Sequence, residues 1–134
     1  MSERLFTPVE VNRLIPTFAP LMEQAMDRHR QASALQQHLQ EEQARIRESG
    51  GGRIDQRDWK ARAERLDGLT IEIRMLLKEI LTLGGVTKDL EVGLVDFPGQ
   101  VDGETVNLCW KAGETEVRFW HGLDEGYAKR KPLP

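Results

Sequence analysis

Between residues 84 and 98, Gly-Gly-Val-Thr-Lys-Asp-Leu-Glu-Val-Gly-Leu-Val-Asp-Phe-Pro, the spacing of apolar residues changes from a helical to an extended period. A chain with this switch cannot be all helix or all sheet. It predicts an α+β fold: a long antiparallel helical hairpin over residues 7–83, with a small three-stranded antiparallel β-meander at its base and a C-terminal strap over residues 84–134. The 134 residues fit a single domain, residues 1–134. The join between the two parts is the natural place for a site.

The helical part opens on Thr7-Pro8-Val9-Glu10, a capping box with proline at the first helical position. Leu14, Phe18, Leu21, Met22, Ala25, Met26, His29, Ala32, Leu35, Leu39, Gln43 and Ile46 then lie along one stripe. Pro16 and Pro20 each remove an amide donor, which predicts a kink or break over residues 12–20, their shared face turned from tight packing. Ser49 and Gly50, Gly51 and Gly52 predict the hairpin tip, and Asp55 the next N-cap. The second stripe is Trp59, Ala63, Leu66, Leu69, Ile73, Leu76, Leu77, Ile80 and Leu83, ending at Gly84. Gly68 inside it reads as simple tolerance. Helices of roughly 30 to 40 residues are about 45 to 60 Å long, whereas a short strand spans about 20 Å. The tip is therefore expected to project, or to pack on a second subunit in a four-helix arrangement.

After residue 84 three strands are expected: Leu94–Val101, Glu104–Lys111 and residues 114–121, joined at Asp102-Gly103 and Ala112-Gly113. If both turns close directly, Val101 pairs with Glu104, Gly99 with Val106, Phe97 with Leu108, Val95 with Trp110, Leu108 with Val117 and Val106 with Phe119. Opposite residues share a face. This register gathers Val95, Phe97, Val106, Leu108, Trp110, Val117 and Phe119 into a wall against the helices. The other face then holds Asp96, Cys109 and Glu116 in one row, Asn107 beside Arg118, Lys111 beside Glu114 and Trp120 beside Thr105. His121 falls on the core side near Glu104, and residues 122–134 read as an irregular strap with a basic run at Lys129, Arg130 and Lys131.

Gly84-Gly85-Val86, Lys88-Asp89-Leu90, residues 93–98, Leu108-Cys109-Trp110, Gly113-Glu114, Trp120-His121, Gly126, Arg130 and Pro132 together resemble the signature of an uncharacterised prokaryotic family, domain of unknown function 2203. The opening at Phe6-Thr7 is similar to it as well. The resemblance spans nearly the whole chain. Thr87 and Lys131 stand where the family pattern has a hydrophobic residue and a glutamine. The resemblance implies no known activity and carries over no catalytic residue.

Two constellations bear chemistry. The Asp96, Cys109, Glu116 row suits a divalent cation, but its hard and soft donors are mixed, His29 and His38 lie far off on the helix, and no spacing matches a recognised ligand motif. A solvated strand face is the preferred reading, with no metal ligand or cofactor assigned. Neighbouring carboxylates would raise the Cys109 pKa and make it a poor nucleophile. The second constellation is Lys88, Asp89, Glu114, His121, Asp124 and Arg130. There His121 with a carboxylate could act as general acid or base, and Lys88 or Arg130 could hold an anion. Against this, Asp89 could cap a loop and Arg130 could pin the tail. Gly84-Gly85 follows a helix C-terminus, so it is not a phosphate loop.

The formal charge is −3, and residues 84–134 carry nine acidic against six basic residues. That balance disfavours nucleic-acid binding, including base stacking on Trp110, Trp120 and Tyr127. One cysteine leaves no intrachain disulfide, no apolar run reaches membrane-spanning length, and no export signal is evident at the N-terminus, so the cytoplasm is the expected compartment. The leading expectation is a non-enzymatic interaction or small-ligand-binding protein, a homodimer through its helices, with an unidentified protein or small-molecule partner. Its candidate binding residues are Lys88, Asp89, Asp96, Glu114, Trp120, His121 and Arg130. The alternative is a small enzyme or metal-dependent protein using His121 with neighbouring carboxylates.

Overall fold

The computed structural model describes residues 4–48 and 56–134. The tip glycines and the expected Asp55 cap lie outside the described residues. Helix α1 (Pro8–Glu48) begins where the capping box places it: the Glu10 amide donates to Thr7 Oγ1 at 3.2 Å and the Thr7 amide donates to Glu10 Oε1 at 3.0 Å. The expected break does not occur. The helix is continuous through Pro16 and Pro20, and both rings lie on its exposed side. Helix α2 (Gln56–Leu83) ends in a Schellman motif, with Gly85 N–H donating to the Ile80 carbonyl and Gly84 N–H to the Leu81 carbonyl. Gly84 sits at φ 108°, and a Cβ there would lie 2.3 Å from the Phe6 ring, so both its conformation and its space demand glycine.

The helices pack antiparallel. Arg28 reaches Glu72, Gln31 accepts from Arg65, and Glu42 accepts from Arg62. The 41 residues of α1 span about 60 Å, more than twice the roughly 27 Å of an eight-residue strand. Beyond Ala25, the buried residue of α1 among those described is Leu39. The far part of the hairpin therefore stands clear of the sheet.

The sheet has five strands rather than three: β1 (Val86–Asp89), β2 (Leu94–Val101), β3 (Glu104–Lys111), β4 (Phe119–His121) and β5 (Lys131–Pro132), antiparallel in that order. The join supplies β1 and the tail supplies β5, two short segments without an alternating pattern of their own. Between β2 and β3 the register is the expected one, from Val101 opposite Glu104 to Val95 opposite Trp110. Asp102 at φ 51° and Gly103 at φ 82° form its turn.

The register of β4 is not the expected one. Leu108 faces Trp120 instead of Val117, and Cys109 faces Phe119. The chain does turn at Ala112-Gly113, with Glu114 N–H donating to the Lys111 carbonyl, but it then leaves the sheet. The Trp110 indole N–H donates to the Glu114 carbonyl at 2.9 Å, and the Val117 amide donates to Asn12 Oδ1 on α1 at 2.7 Å. Val117 still drops into the core, and pairing resumes three residues late. An odd shift exchanges the faces. Trp120 moves to the core side under the Lys131 ammonium, His121 moves to the outer side opposite Asn107, and Phe119 leaves the wall to lie beneath the Arg130 guanidinium.

The core between sheet and helices is built from Val95, Phe97, Val106, Leu108 and Trp110 against Val11, Ile15, Phe18, Met22 and Ile80. Phe18 sits between Phe97 and Trp110, with ring centroids 5.1 and 4.9 Å away, near edge-on to the indole. The outer face of the sheet is covered in part by the tail, where Tyr127–Lys129 form a 3-10 turn.

Candidate functional site

Asp96 on β2 and Cys109 on β3 are direct cross-strand partners, and His121 on β4 lies diagonally beyond Cys109. The corrected register thus brings a carboxylate, a thiol and an imidazole together on the outer face. Their nearest ligand atoms all lie within 4.8 Å of one another, and the three residues are at most 3% exposed. His121 Nε2 lies 3.0 Å from Asp96 Oδ2. Its Nδ1 lies 2.9 Å from the Gly122 carbonyl oxygen, which can only accept, so Nδ1 carries the proton and Nε2 is directed at the carboxylate. The other carboxylate oxygen, Asp96 Oδ1, is buried and makes no hydrogen bond among the described residues. Burial first, and then the charge of Asp96, push the Cys109 thiol up to about 12.

Above these residues is a cavity of about 270 Å³ whose other walls include Lys88, Asn107, Leu123, Glu125 and Tyr127. Lys88 is placed there by a β-bulge: Thr87 pairs with Val95 and Asp89 with Leu94, leaving Lys88 as the extra residue. A bulge redirects the side chain it frees. The tail forms the roof. Gly122 N–H donates to Glu125 Oε1, which also accepts from Lys131 Nζ at 2.7 Å, and the Lys131 ammonium and then the Gly122 amide hold the Glu125 carboxyl below its ordinary pKa of 4.5. A second, wider groove of about 650 Å³ shares Lys88, Asp96, Asn107 and Leu123 with the first and continues along Leu81, Val86 and Phe6. Leu81, Val86 and Leu123 are 58%, 40% and 60% exposed, giving this groove an apolar rim.

The seven candidate residues separate. Lys88, Asp96 and His121 line the same cavity. Asp89 faces its own loop, where Oδ1 accepts from the amides of Glu91 and Val92 at 2.7 and 3.2 Å. Glu114 and Arg130 form a two-oxygen pair at 2.8 and 3.0 Å, and the same guanidinium donates to the Cys109 carbonyl, which ties the tail to the sheet. Trp120 is on the opposite face. Glu116, placed with Asp96 and Cys109 by the directly closed turn, is instead exposed and paired with Arg118. Cys109, Asn107 and Tyr127 were not among the seven. The signal for Cys109 was its strand parity with Asp96; nothing local marked the other two.

Chemically, the cavity floor offers one oxygen, one sulfur and one nitrogen donor in a buried setting, with an ammonium and an apolar rim nearby. That arrangement suits recognition of a small polar group. Among the described residues, no helix is long and apolar enough to cross a membrane. No curated protein and no solved structure matches the chain. The profile of the family described as "Uncharacterized conserved protein (DUF2203)" matches residues 4–133, and the protein belongs to that family.

Proposed function

We propose that this protein is a small-ligand-binding protein that self-associates through its helices. The ligand places a polar group over Asp96 and His121 and runs an apolar part along Leu81, Val86 and Leu123. The observation that carries this reading is the bare Asp96 Oδ1. A buried carboxylate oxygen without a donor costs free energy that a purely structural pair would avoid, and this one lines a cavity. Self-association is supported by Ile71 and Met75, 55% and 62% exposed one turn apart on α2, and by the far part of the hairpin standing beyond the sheet.

Native mass spectrometry on protein purified without chelator tests both parts. A dimer that retains a stoichiometric added mass is the expected result. A bare monomer that also takes up no mass from a cell extract overturns them.

A second reading has the His121–Asp96 pair in its favour, since an imidazole oriented on both nitrogens is the usual form of a general acid or base. It requires turnover of the bound molecule. Recovery of the ligand unchanged after prolonged incubation removes it.

A further inference from the structure

We propose that Asp96, Cys109 and His121 form a mononuclear site for a zinc-class divalent cation at the floor of the cavity, with one coordination position left open toward the cavity. This inference rests on the ligand-binding reading of the same pocket and names what anchors the ligand.

Three observations carry it. The donor set of imidazole nitrogen, thiol sulfur and carboxylate oxygen is one that zinc takes, and three protein ligands with an open fourth position is the pattern of its reactive sites. The geometry fits: zinc bonds of about 2.0 to 2.3 Å place tetrahedral ligand atoms roughly 3.3 to 3.6 Å apart. Here Nε2 and Oδ2 are 3.0 Å apart and all three donors fall within 4.8 Å, so the set closes on a cation with adjustments of about 1 Å. The third observation is the His121 ring itself. Its Nδ1 lies against the Gly122 carbonyl, the kind of outer partner that fixes the tautomer of metal-ligating histidines, and Nε2 is directed at Asp96.

A proton cannot serve all these groups as well. Shared between Nε2 and Oδ2, it leaves Oδ1 bare. A dication satisfies nitrogen, oxygen and sulfur together and offsets the buried carboxylate and thiolate charges. On binding, the thiol proton leaves to solvent as the sulfur–metal bond forms, with no change of oxidation state.

The test is titration of the chelator-stripped chain with cobalt(II) alone, followed by absorption spectroscopy. The expected result is one equivalent bound per chain, with a thiolate-to-cobalt charge-transfer band and the intense visible bands of a four-coordinate site. Cys109→Ser is expected to abolish the charge-transfer band while far-ultraviolet circular dichroism stays unchanged. Asp96→Asn is expected to weaken binding by more than the ~10 to 100-fold typical of a lost outer partner. Glu116→Gln, remote from the site, is expected to change nothing. A folded wild-type chain that gives no thiolate band with excess cobalt overturns the proposal without help from any variant. If that chain still retains an organic molecule in native mass spectrometry, the metal fails and the pocket stands; if it retains none, both fail.

Discussion

His121 Nε2 and Asp96 Oδ2 lie 3.0 Å apart across the strand that separates them, and each side chain is 4% exposed. Among the described residues, Asp96 is the carboxylate that His121 faces, and both side chains are shielded from bulk solvent. Removing the imidazole with His121→Ala leaves a buried carboxylate without a counterpart. The expected cost is about 3 kcal/mol, read as a shift in the urea midpoint without a change in slope. A variant as stable as wild type would mean that solvent reaches Asp96.

Glycines 84 and 68 give opposite predictions. Ala at 84 must hold φ 108° and displace the Phe6 ring, so Gly84→Ala is expected to cost about 2 kcal/mol or more. Around Gly68 a Cβ meets nothing within 4 Å, so Gly68→Ala is expected to stabilise the helix by about 1 kcal/mol. Thermal unfolding of the two variants checks both signs.

Arg130 and Glu114 act as one unit. Glu114 Oε1 accepts from both the Arg130 guanidinium and the Lys111 amide, at 2.8 and 2.6 Å. Arg130→Met is expected to cost about 2 kcal/mol, the scale of hydrogen bonds to a charged group. Adding Glu114→Gln should cost less than it does in the wild-type background, because the two share one network. Strict additivity in this cycle would contradict the arrangement.

The capping box at α1 sets an acid-side dependence. The Thr7 amide, and after it the Arg4 guanidinium, hold the Glu10 carboxyl below 4.5. A depressed folded value stabilises the fold above the ordinary pKa, and this contribution is lost as pH falls through the folded one. Wild type is therefore expected to exceed Glu10→Gln in stability at pH 7, with the gap closing on acidification below 4.5. Urea titrations at several pH values measure it.

In chelator-stripped protein, Cys109 is expected to resist alkylation. Its thiol is buried and pushed up to about 12, so little thiolate exists near neutral pH. Iodoacetamide labelling at pH 8 should proceed only through unfolding, and should accelerate in step with the unfolded fraction as urea is added. Rapid labelling of the folded chain would refute the burial.

Much of the fold was legible in local codes. Thr7 and Glu10 announce the start of α1, the glycine pair at 84 and 85 ends α2, and Asp102-Gly103 sets the β2–β3 register, because each depends on residues within a few positions of one another. The excess length of the helices over the strands followed from element lengths alone.

What only the tertiary structure decided is the outer face of the sheet. Asn12 captures the amide of Val117 across 105 residues of sequence, the chain between β3 and β4 lengthens, and an odd shift in pairing sends Trp120 inward and His121 outward. Phe119, Trp120 and His121 alternate equally well in either register, so no local pattern could choose between them. The same is true of the bulge that frees Lys88 and of the tail that roofs the cavity: each is settled by where distant backbone finds its hydrogen bonds and which large side chain the core accepts. The alternation of β2 and β3 specified a wall for the helices. Packing against α1 determined which residues stand behind it, and so brought His121 to Asp96 and Cys109.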